Sequence, residues 1–191
     1  MVPVEDYIKT GTYIGTRAVT PNMKKYVYKR RADGLAVLNT LEIDEGLKKG
    51  IEFISKFNIK DIIIVCKREA GWRAINLFSE LTGIRSFTKK YPAGILTNTK
   101  LDIFIEPKLI IVCDPWIDKN ALSEAQKTNR KVLGLCDTNN FTKGIDVVIP
   151  CNNKSNKSLG LILYHLAEGF IKNKKIKTKM PRLKEFVGEE I

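Results

Sequence analysis

The chain has 191 residues and is strongly basic, with 33 Lys and Arg residues against 21 Asp and Glu residues and a formal net charge of +12. Hydrophobic residues make up 43% of it and charged residues 28%, which is typical of a globular protein and excludes collagen, low-complexity sequence and full-length disorder. A chain of this length is expected to form a single domain with a substantial core.

The first feature along the chain is a basic N-terminal segment. Residues 9–31 contain seven Lys and Arg residues and no Asp or Glu, and the acidic start at Glu5 and Asp6 argues against a signal peptide. Tyr26 and Tyr28 alternate with these bases, so unpaired nucleobases could stack beside phosphate contacts. The segment is compatible with either a short helix or an extended conformation.

Five short runs rich in Val, Ile and Leu predict buried strands, at residues 35–38, 61–65, 109–112, 132–135 and 147–149. Their apolar residues are consecutive, which is typical of strands covered on both faces of a parallel sheet. Helical patterns between them indicate right-handed βαβ units. We therefore predict a doubly wound, Rossmann- or flavodoxin-like α/β fold, a three-layer α/β/α arrangement around a parallel sheet of about five strands.

Helices are predicted after four of these strands, where apolar residues recur at helical spacing. We expect Asp44, Asp118 and Ser155 to cap the N-termini of the first, third and fourth helices. Gly83 is the expected left-handed residue after the second helix. The stretch 84–108 is the least regular part of the chain, and long irregular loops in compact domains are often functional.

A second basic block lies near the C-terminus. Residues 154–184 contain nine Lys and Arg residues and one acid, Glu168, so the chain outside the two blocks is slightly acidic. We expect a single α/β domain over residues 1–172 and a basic, flexible tail over residues 173–191. The longest apolar-rich stretch, residues 159–171, is too short to span a bilayer, so no transmembrane segment is predicted.

The two basic blocks have three interpretations. Charge runs are often solvated faces or tails that have no partner. Clustered Lys and Arg also bind nucleic acid, with an affinity that falls as salt rises because binding releases counterions. An acidic membrane surface attracts the same charges, but residues 172–177 have neither a broad apolar face nor a lipidation signal, so no membrane partner is predicted.

Polar residues follow three predicted strands, at the edge where open parallel sheets bind ligands. Asp114 and Asp137 could hold Mg²⁺ there, with residues 152–155 as a phosphate cradle at a helix N-terminus. Such residues are also ordinary turn and cap residues. We assign that structural role to the five polar residues Asp114, Asp137, Asn139, Asn152 and Ser155.

Motifs of other active sites are missing. The four cysteines are far apart and the one histidine, His165, lies in a late helix, so neither a zinc site nor a disulfide framework is predicted. The sequence contains no nucleophile elbow, Walker loop or dinucleotide-binding glycine motif. We predict a cytoplasmic protein with reduced, buried thiols and with no catalytic residue, metal or cofactor.

Several groups of residues resemble, in their order, the second universal small-subunit ribosomal protein family. These groups lie at residues 15–17, 22–23, 30–38, 94–98, 106–107, 112–115, 124–125, 136–139 and 149–154. The resemblance spans residues 7–172. It is to the archaeal and eukaryotic type, because only eight residues separate Asn98 from Pro107, where bacterial members insert a long coiled-coil hairpin.

The resemblance implies a non-enzymatic, structural protein at the back of the small ribosomal subunit, between head and body. Its partners would be small-subunit rRNA and neighbouring small-subunit ribosomal proteins, with the chain a monomer within the ribosome. The expected rRNA-binding residues of the N-terminal block are Arg17, Lys24, Lys25, Tyr26, Tyr28, Lys29, Arg30 and Arg31. Those of the second block are Lys154, Lys157, Lys172, Lys174 and Lys175.

Two alternative functions remain open at this point. One is a small α/β enzyme that acts on a phosphorylated or nucleotide substrate with Mg²⁺ at Asp114 and Asp137. The other is a free RNA chaperone, which would bind single strands broadly through the same basic blocks without associating stably with a ribosomal subunit.

Overall fold

The computed structural model describes residues 2–188. Its strands are β1 (Val27–Arg30), β2 (Ala36–Leu38), β3 (Ile62–Cys66), β4 (Arg85–Thr88), β5 (Leu109–Val112), β6 (Lys131–Cys136) and β7 (Val147–Pro150). Its helices are α1 (Val4–Thr10), α2 (Thr40–Ser55), α3 (Glu69–Thr82), α4 (Lys119–Lys127), α5 (Asn156–Lys174) and α6 (Leu183–Val187). Short 3₁₀ turns precede β1 and β3, at Lys24–Tyr26 and Ile59–Asp61.

The centre of the molecule is a five-stranded sheet in the order β4-β3-β5-β6-β7. All its neighbouring strands are parallel. The chain passes from β3 through α3 to β4 on one side, then returns to β5 on the other side of β3. The switch point of the topology therefore lies between β3 and β5, and the predicted doubly wound α/β fold is confirmed.

Two apolar layers cover the sheet, which explains why its strands are apolar on consecutive residues. Ile62 and Ile64 of β3 belong to a cluster with buried residues of α2, α3 and α5. Ile63 and Val65, on the opposite face, pack with residues of α4 and with Tyr91, Ile95 and Leu96. The three central strands β3, β5 and β6 are thus buried on both sides, as a parallel sheet between helical layers requires.

The irregular stretch after β4 is organised by a buried carboxylate of α4. Glu124 accepts hydrogen bonds from the backbone N–H groups of Gly94 at 2.7 Å and Leu96 at 3.1 Å. It also accepts one from the hydroxyl of Tyr91 at 3.3 Å. Burial and the adjacent Glu124 raise the pKa of that hydroxyl. Residues 91–96 are therefore a fixed part of the second layer and not a loose loop.

One predicted strand lies outside the parallel sheet. Residues 36–38 form β2, which pairs antiparallel with β1 in a separate two-stranded hairpin. The fifth strand of the sheet is instead β4, within the stretch predicted to be irregular. Since β4 is a partly exposed edge strand of sequence Arg-Ser-Phe-Thr, it lacks the apolar run that marks the other four.

The first predicted helix cap is wrong. Asn39 caps α2, because its side chain accepts a hydrogen bond from the N–H of Leu41. Asp44 lies inside the helix and is buried, where it accepts a 2.7 Å hydrogen bond from the hydroxyl of Tyr7 in α1. By contrast, Gly83 follows α3 with a φ of 74°, as predicted.

The C-terminal region differs from the flexible tail expected from residue 173. Helix α5 extends to Lys174, and α6 packs against α5 and α3 with Phe186 and Val187 buried. The close approach of α6 to α5 requires a glycine in α5, because a Cβ on Gly160 would lie 2.6 Å from the carbonyl oxygen of Phe186. Residues 189–191 of the expected tail lie outside the described residues. Within residues 2–188, no helix is both long enough and apolar enough to cross a membrane.

Candidate nucleic-acid interface

The N-terminal segment crosses the carboxyl edge of the sheet and is held there by the turn after β6. The N–H of Thr16 donates to the hydroxyl of Thr138 at 2.9 Å, and the N–H of Thr20 donates to the carbonyl of Thr138 at 2.9 Å. The hydroxyl of Thr20 donates to the carbonyl of Asn140 at 2.7 Å. The segment therefore covers the edge at which related folds bind small ligands.

This crossing depends on Gly15. A Cβ at this position would lie 2.4 Å from the methyl group of Thr138, a side chain that is fully buried. The same stretch pairs with β2, since Gly15 donates to the carbonyl of Ala36 and Ala36 donates to that of Thr16. Two groups of residues that carry the family resemblance, 15–17 and 136–139, thus meet in the structure.

The basic residues 24–30 are presented by a 3₁₀ turn followed by strand β1, so the segment is partly helical and partly extended. Met23 anchors the turn in the core, while Lys24 and Lys25 are exposed. The ammonium of Lys25 lies 4.8 Å from the ring centroid of Tyr26, which is half-buried. Tyr28 is 70% exposed, so its ring is available for stacking.

Three exposed arginines, Arg17, Arg30 and Arg31, lie in or next to the β1-β2 hairpin. The guanidinium of Arg30 donates to the carbonyl of Arg17 at 2.8 Å, which holds the two residues together. Arg31 pairs with Asp33 at 3.0 Å, an exposed ion pair that contributes little to stability. Lys24 and Arg30 line one groove together with Val19, Thr20, Pro21 and Val27. This groove is a surface on which an anionic chain can lie.

Two lysines of the second basic block lie at the same edge. The ammonium of Lys154 is 3.4 Å from a carboxylate oxygen of Asp137, which is buried next to Thr138. Burial raises the pKa of Asp137, although Lys154 opposes this effect. Lys157 lies in the first turn of α5. We call this set the basic edge: Arg17, Lys24, Lys25, Lys29, Arg30, Arg31, Lys154 and Lys157.

The other lysines of the second block lie elsewhere. Lys172, Lys174 and Lys175 are at the C-terminal end of α5, about 28 Å along the helix from its start. Lys174 lines a groove with residues 58–61, which precede β3 at the opposite edge of the sheet. The structure therefore divides the second predicted contact into two separate surfaces.

Of the predicted turn residues, Asp114 and Asp137 are buried, whereas Asn139, Asn152 and Ser155 are half-buried. Asp114 forms an ion pair with Arg68 and accepts hydrogen bonds from the N–H of Trp116 and the amide of Asn140. Asn139 accepts a 3.5 Å hydrogen bond from Lys154, and Asn152 accepts one from the N–H of the same residue. Ser155 precedes α5, but its side chain makes no capping hydrogen bond.

Both carboxylates considered for Mg²⁺ are engaged by other groups: Asp114 by Arg68 and Trp116, and Asp137 by the N–H of Thr138 and the ammonium of Lys154. Hydrogen-bond donors contact both carboxylate oxygens of Asp114. The neighbouring carboxylate of Asp118 accepts hydrogen bonds from the N–H groups of Lys67 and Asp114. Burial raises the pKa of Asp118 to about 6, against the opposing effect of these two hydrogen bonds. Across the described part of the chain, His, Cys, Asp and Glu nowhere form a group of three or more that could hold a metal ion.

The four cysteines are free and buried at or near the same edge. A hydrogen bond with Cys66, and then burial, raise the pKa of the Cys113 thiol well above its ordinary value. Burial does the same for the thiols of Cys136 and Cys151. The thiols of Cys113, Cys136 and Cys151 are therefore protonated at neutral pH and are poor nucleophiles.

Three residues of this edge were missed by the sequence analysis. Arg68 forms an ion pair with Asp114 at the switch point. The aromatic rings of Trp116 and Phe141 are exposed in the loops after β5 and β6. For the two aromatic residues, the available signal in the sequence was their position directly after turn residues. Arg68 gave no signal, because its partner lies 46 positions away in the sequence.

Comparison with known proteins identifies the family. A family model described as ribosomal protein S2 matches residues 101–173. A small ribosomal subunit protein uS2 from Nanoarchaeum equitans is 41% identical over 189 residues, which cover 99% of this chain and 94% of the relative. The proteins of the same name from Methanoregula boonei and Thermoplasma volcanium are 38% and 37% identical, over 94% and 99% of this chain and 89% and 95% of their own lengths. Because such identity extends over almost the whole of both chains, this chain belongs to the ribosomal protein S2 family.

Proposed function

We propose that this protein is a structural constituent of the small ribosomal subunit, where it binds rRNA through the basic edge and supports translation. It acts in the cytoplasm, as a monomer within the ribosome. The names of its relatives place those proteins in the small subunit. The observation that supports rRNA binding is the convergence of the N-terminal block and Lys154 on one turn, residues 137–140.

The basic edge suits a phosphate backbone better than a small substrate. Its charges lie on a hairpin and an extended segment, so they can contact successive phosphates along a nucleic acid strand. The sheet edge beneath them, where an enzyme of this fold would bind its substrate, is covered by residues 15–20 of the chain itself. The enzyme alternative has no support from this geometry.

A second surface, which adjoins the basic edge at Lys29, suits a neighbouring ribosomal protein. Val4 and Ile8 of α1, Tyr28 of β1 and Leu41 of α2 are all exposed and line one groove of 350 Å³. A continuous apolar groove of this kind is typical of protein contacts. We propose that apolar side chains of an adjacent small-subunit protein fill this groove, while the basic edge contacts rRNA.

Cosedimentation with small subunits tests the function. The chain should sediment with small subunits at about 50 mM salt and leave them at about 500 mM salt, because phosphate contacts weaken steeply as counterions accumulate. Replacing Lys24, Lys25 and Lys29 with Ala should shift this release to lower salt. Three exposed lysines away from the basic edge serve as the matched control when replaced with Ala: Lys56, Lys100 and Lys127.

Two results would contradict the proposal. Free protein at low salt, with no subunit-bound fraction, would exclude a structural constituent. Broad binding to single-stranded RNA without cosedimentation would instead support the RNA chaperone.

A further inference from the structure

Two large aromatic side chains are exposed at the carboxyl edge of the sheet. Trp116, in the loop after β5, is 64% exposed, and Phe141, in the loop after β6, is 57% exposed. Neither ring contributes to the two apolar clusters of the core. Their place on the surface therefore needs an explanation other than packing.

The two loops that carry these rings are fixed to each other. One carboxylate oxygen of Asp114 accepts hydrogen bonds both from the N–H of Trp116 at 3.0 Å and from the side-chain amide of Asn140 at 3.2 Å. The amide oxygen of Asn140 accepts from the N–H of Asp137 at 2.7 Å and from the side chain of Asn153 at 2.9 Å. Both backbones are thus rigid next to the rings, and the rings are presented without a cost of ordering the loops.

The electrostatic surroundings of the rings are basic. Lys119 is exposed at the start of α4, Lys154 is exposed beyond the turn after β6, and the basic N-terminal segment is hydrogen-bonded to Thr138 and Asn140. The acids of the loops after β5 and β6 are buried, so they present little negative charge to a ligand: Asp114, Asp118 and Asp137. An anionic ligand with flat aromatic groups matches this combination of rings and charges.

We infer that Trp116 and Phe141 form a stacking platform for unpaired nucleobases of an RNA whose phosphates contact the basic edge. This inference rests on the proposed function and names the part of the RNA that is recognised. Stacking of a base on an aromatic ring tolerates any sequence, because every base has a π-face. The platform accordingly selects single-stranded or bulged RNA over a continuous duplex, whose bases are already stacked on each other.

A protein partner fits this place less well. The exposed aliphatic side chains Val4, Ile8 and Leu41 lie together in the groove at α1 and α2, which is continuous and apolar. Next to Phe141 the stretches 138–140 and 142–143 are polar or basic, and next to Trp116 the half-buried Ile117 and the buried Asp118 are followed by the exposed Lys119 and Asn120. Flat rings within a basic surface are typical of single-strand nucleic acid sites.

Fluorescence of Trp116 gives a direct readout. The chain has two tryptophans, so Trp72→Phe leaves Trp116 as the one emitting tryptophan. Titration with single-stranded oligouridylate or oligoadenylate should quench its emission strongly. A perfect RNA duplex of the same length should bind through the basic edge and leave the emission nearly unchanged.

Affinity measurements separate stacking from phosphate contacts. Trp116→Ala and Phe141→Ala should each weaken binding of single-stranded RNA about tenfold without changing its salt dependence, since stacking releases no counterions. Trp116→Tyr should retain most of the affinity. Replacing Lys24, Lys25 and Lys29 with Ala should instead reduce the slope of log affinity against log salt by about one for each phosphate that the variant no longer neutralises.

The outcomes distinguish the inference from the proposed function. If RNA binds with the expected salt dependence but both aromatic variants keep full affinity, the stacking platform is rejected. RNA binding by the basic edge would then still be supported. If no RNA binds, both fail. In assembled small subunits, a photo-reactive phenylalanine at position 141 should form adducts with rRNA, and an adduct with a protein alone would overturn the platform.

Discussion

At the scale of single residues, the basic edge depends on one position without a side chain. Gly15 lets the N-terminal segment lie on Thr138, where a Cβ would come within 2.4 Å of the threonine methyl group. A hydrogen atom is thus the largest group that fits between two segments that are far apart in the sequence. The polar contacts of Thr16 and Thr20 with residues 138–140 form only if this approach is possible.

Gly15→Ala should therefore destabilise the protein by about 1–3 kcal/mol, the usual cost of overpacking a rigid site. Combining it with Thr138→Ser, which removes the methyl group and keeps the hydroxyl, should restore part of this stability. Urea denaturation of the two single variants and the double variant measures the coupling. Additive effects of the two substitutions would show that the close contact between residue 15 and the methyl group of Thr138 does not affect stability.

A second residue, Asp118, makes the stability depend on pH. Its folded-state pKa of about 6 is above the ordinary value of 3.8, because the carboxyl is buried. The protonated form therefore favours the folded state, and its contribution is full below about pH 4 and is lost as the pH rises through 6.

Asp118→Asn removes this titration. Between pH 4 and pH 7 the wild-type protein should lose on the order of 2–3 kcal/mol more of its free energy of unfolding than the variant does. Urea denaturation at both pH values provides the comparison. Only the change with pH is compared, so the overall stability of the variant does not matter. If the free energies of unfolding of both proteins changed equally with pH, Asp118 would be excluded as the cause of the pH dependence.

At the scale of elements, helix α6 is held by the backbone of α5. Gly160 allows the last turn of α6 to touch α5 directly, and Phe186 and Val187 are buried in that contact. A helix of five residues is too short to be stable alone, so its structure depends on this docking.

Gly160→Ala should release α6 while leaving the sheet folded. Hydrogen exchange of the amides at residues 183–187 should accelerate, and trypsin should cleave at Arg182 and Lys184. Phe186→Ala acts on the same contact from the other side, without altering α5, and should have the same effect. Unchanged protection of residues 183–187 in both variants would contradict this account of the docking.

The elements also show how much the sequence alone could predict. Four strands of the sheet and the doubly wound topology follow from consecutive apolar residues, because burial on both faces leaves that signature. The edge strand β4 was not predicted, because it lacks an apolar run. The hairpin strand β2 was wrongly placed in the parallel sheet, because it has an apolar run outside that sheet. In the site, the basic residues were visible as local charge, whereas the Arg68–Asp114 pair depends on contacts that only the fold creates.

At the scale of the whole molecule, much of the positive charge that gives the chain its net +12 lies on the basic edge and at the C-terminal end of α5. Like charges on one surface repel each other and destabilise the compact state. The thermal midpoint of the free protein should rise between about 50 and 500 mM salt, as screening weakens this repulsion. Replacing Lys24, Lys25 and Lys29 with Ala should reduce the rise, as measured by circular dichroism. An equal rise in the variant would place the repulsion elsewhere.

The crossing of the N-terminal segment over the sheet has a consequence for the order of events during synthesis. Residues 11–20 are made early, but their hydrogen-bonding partners in the turns after β6 and β7 lie 120 to 141 positions later. A nascent chain shorter than this contains the basic residues but cannot arrange them on the sheet. The arrangement that we propose binds RNA thus forms only when translation of the α/β domain is nearly complete.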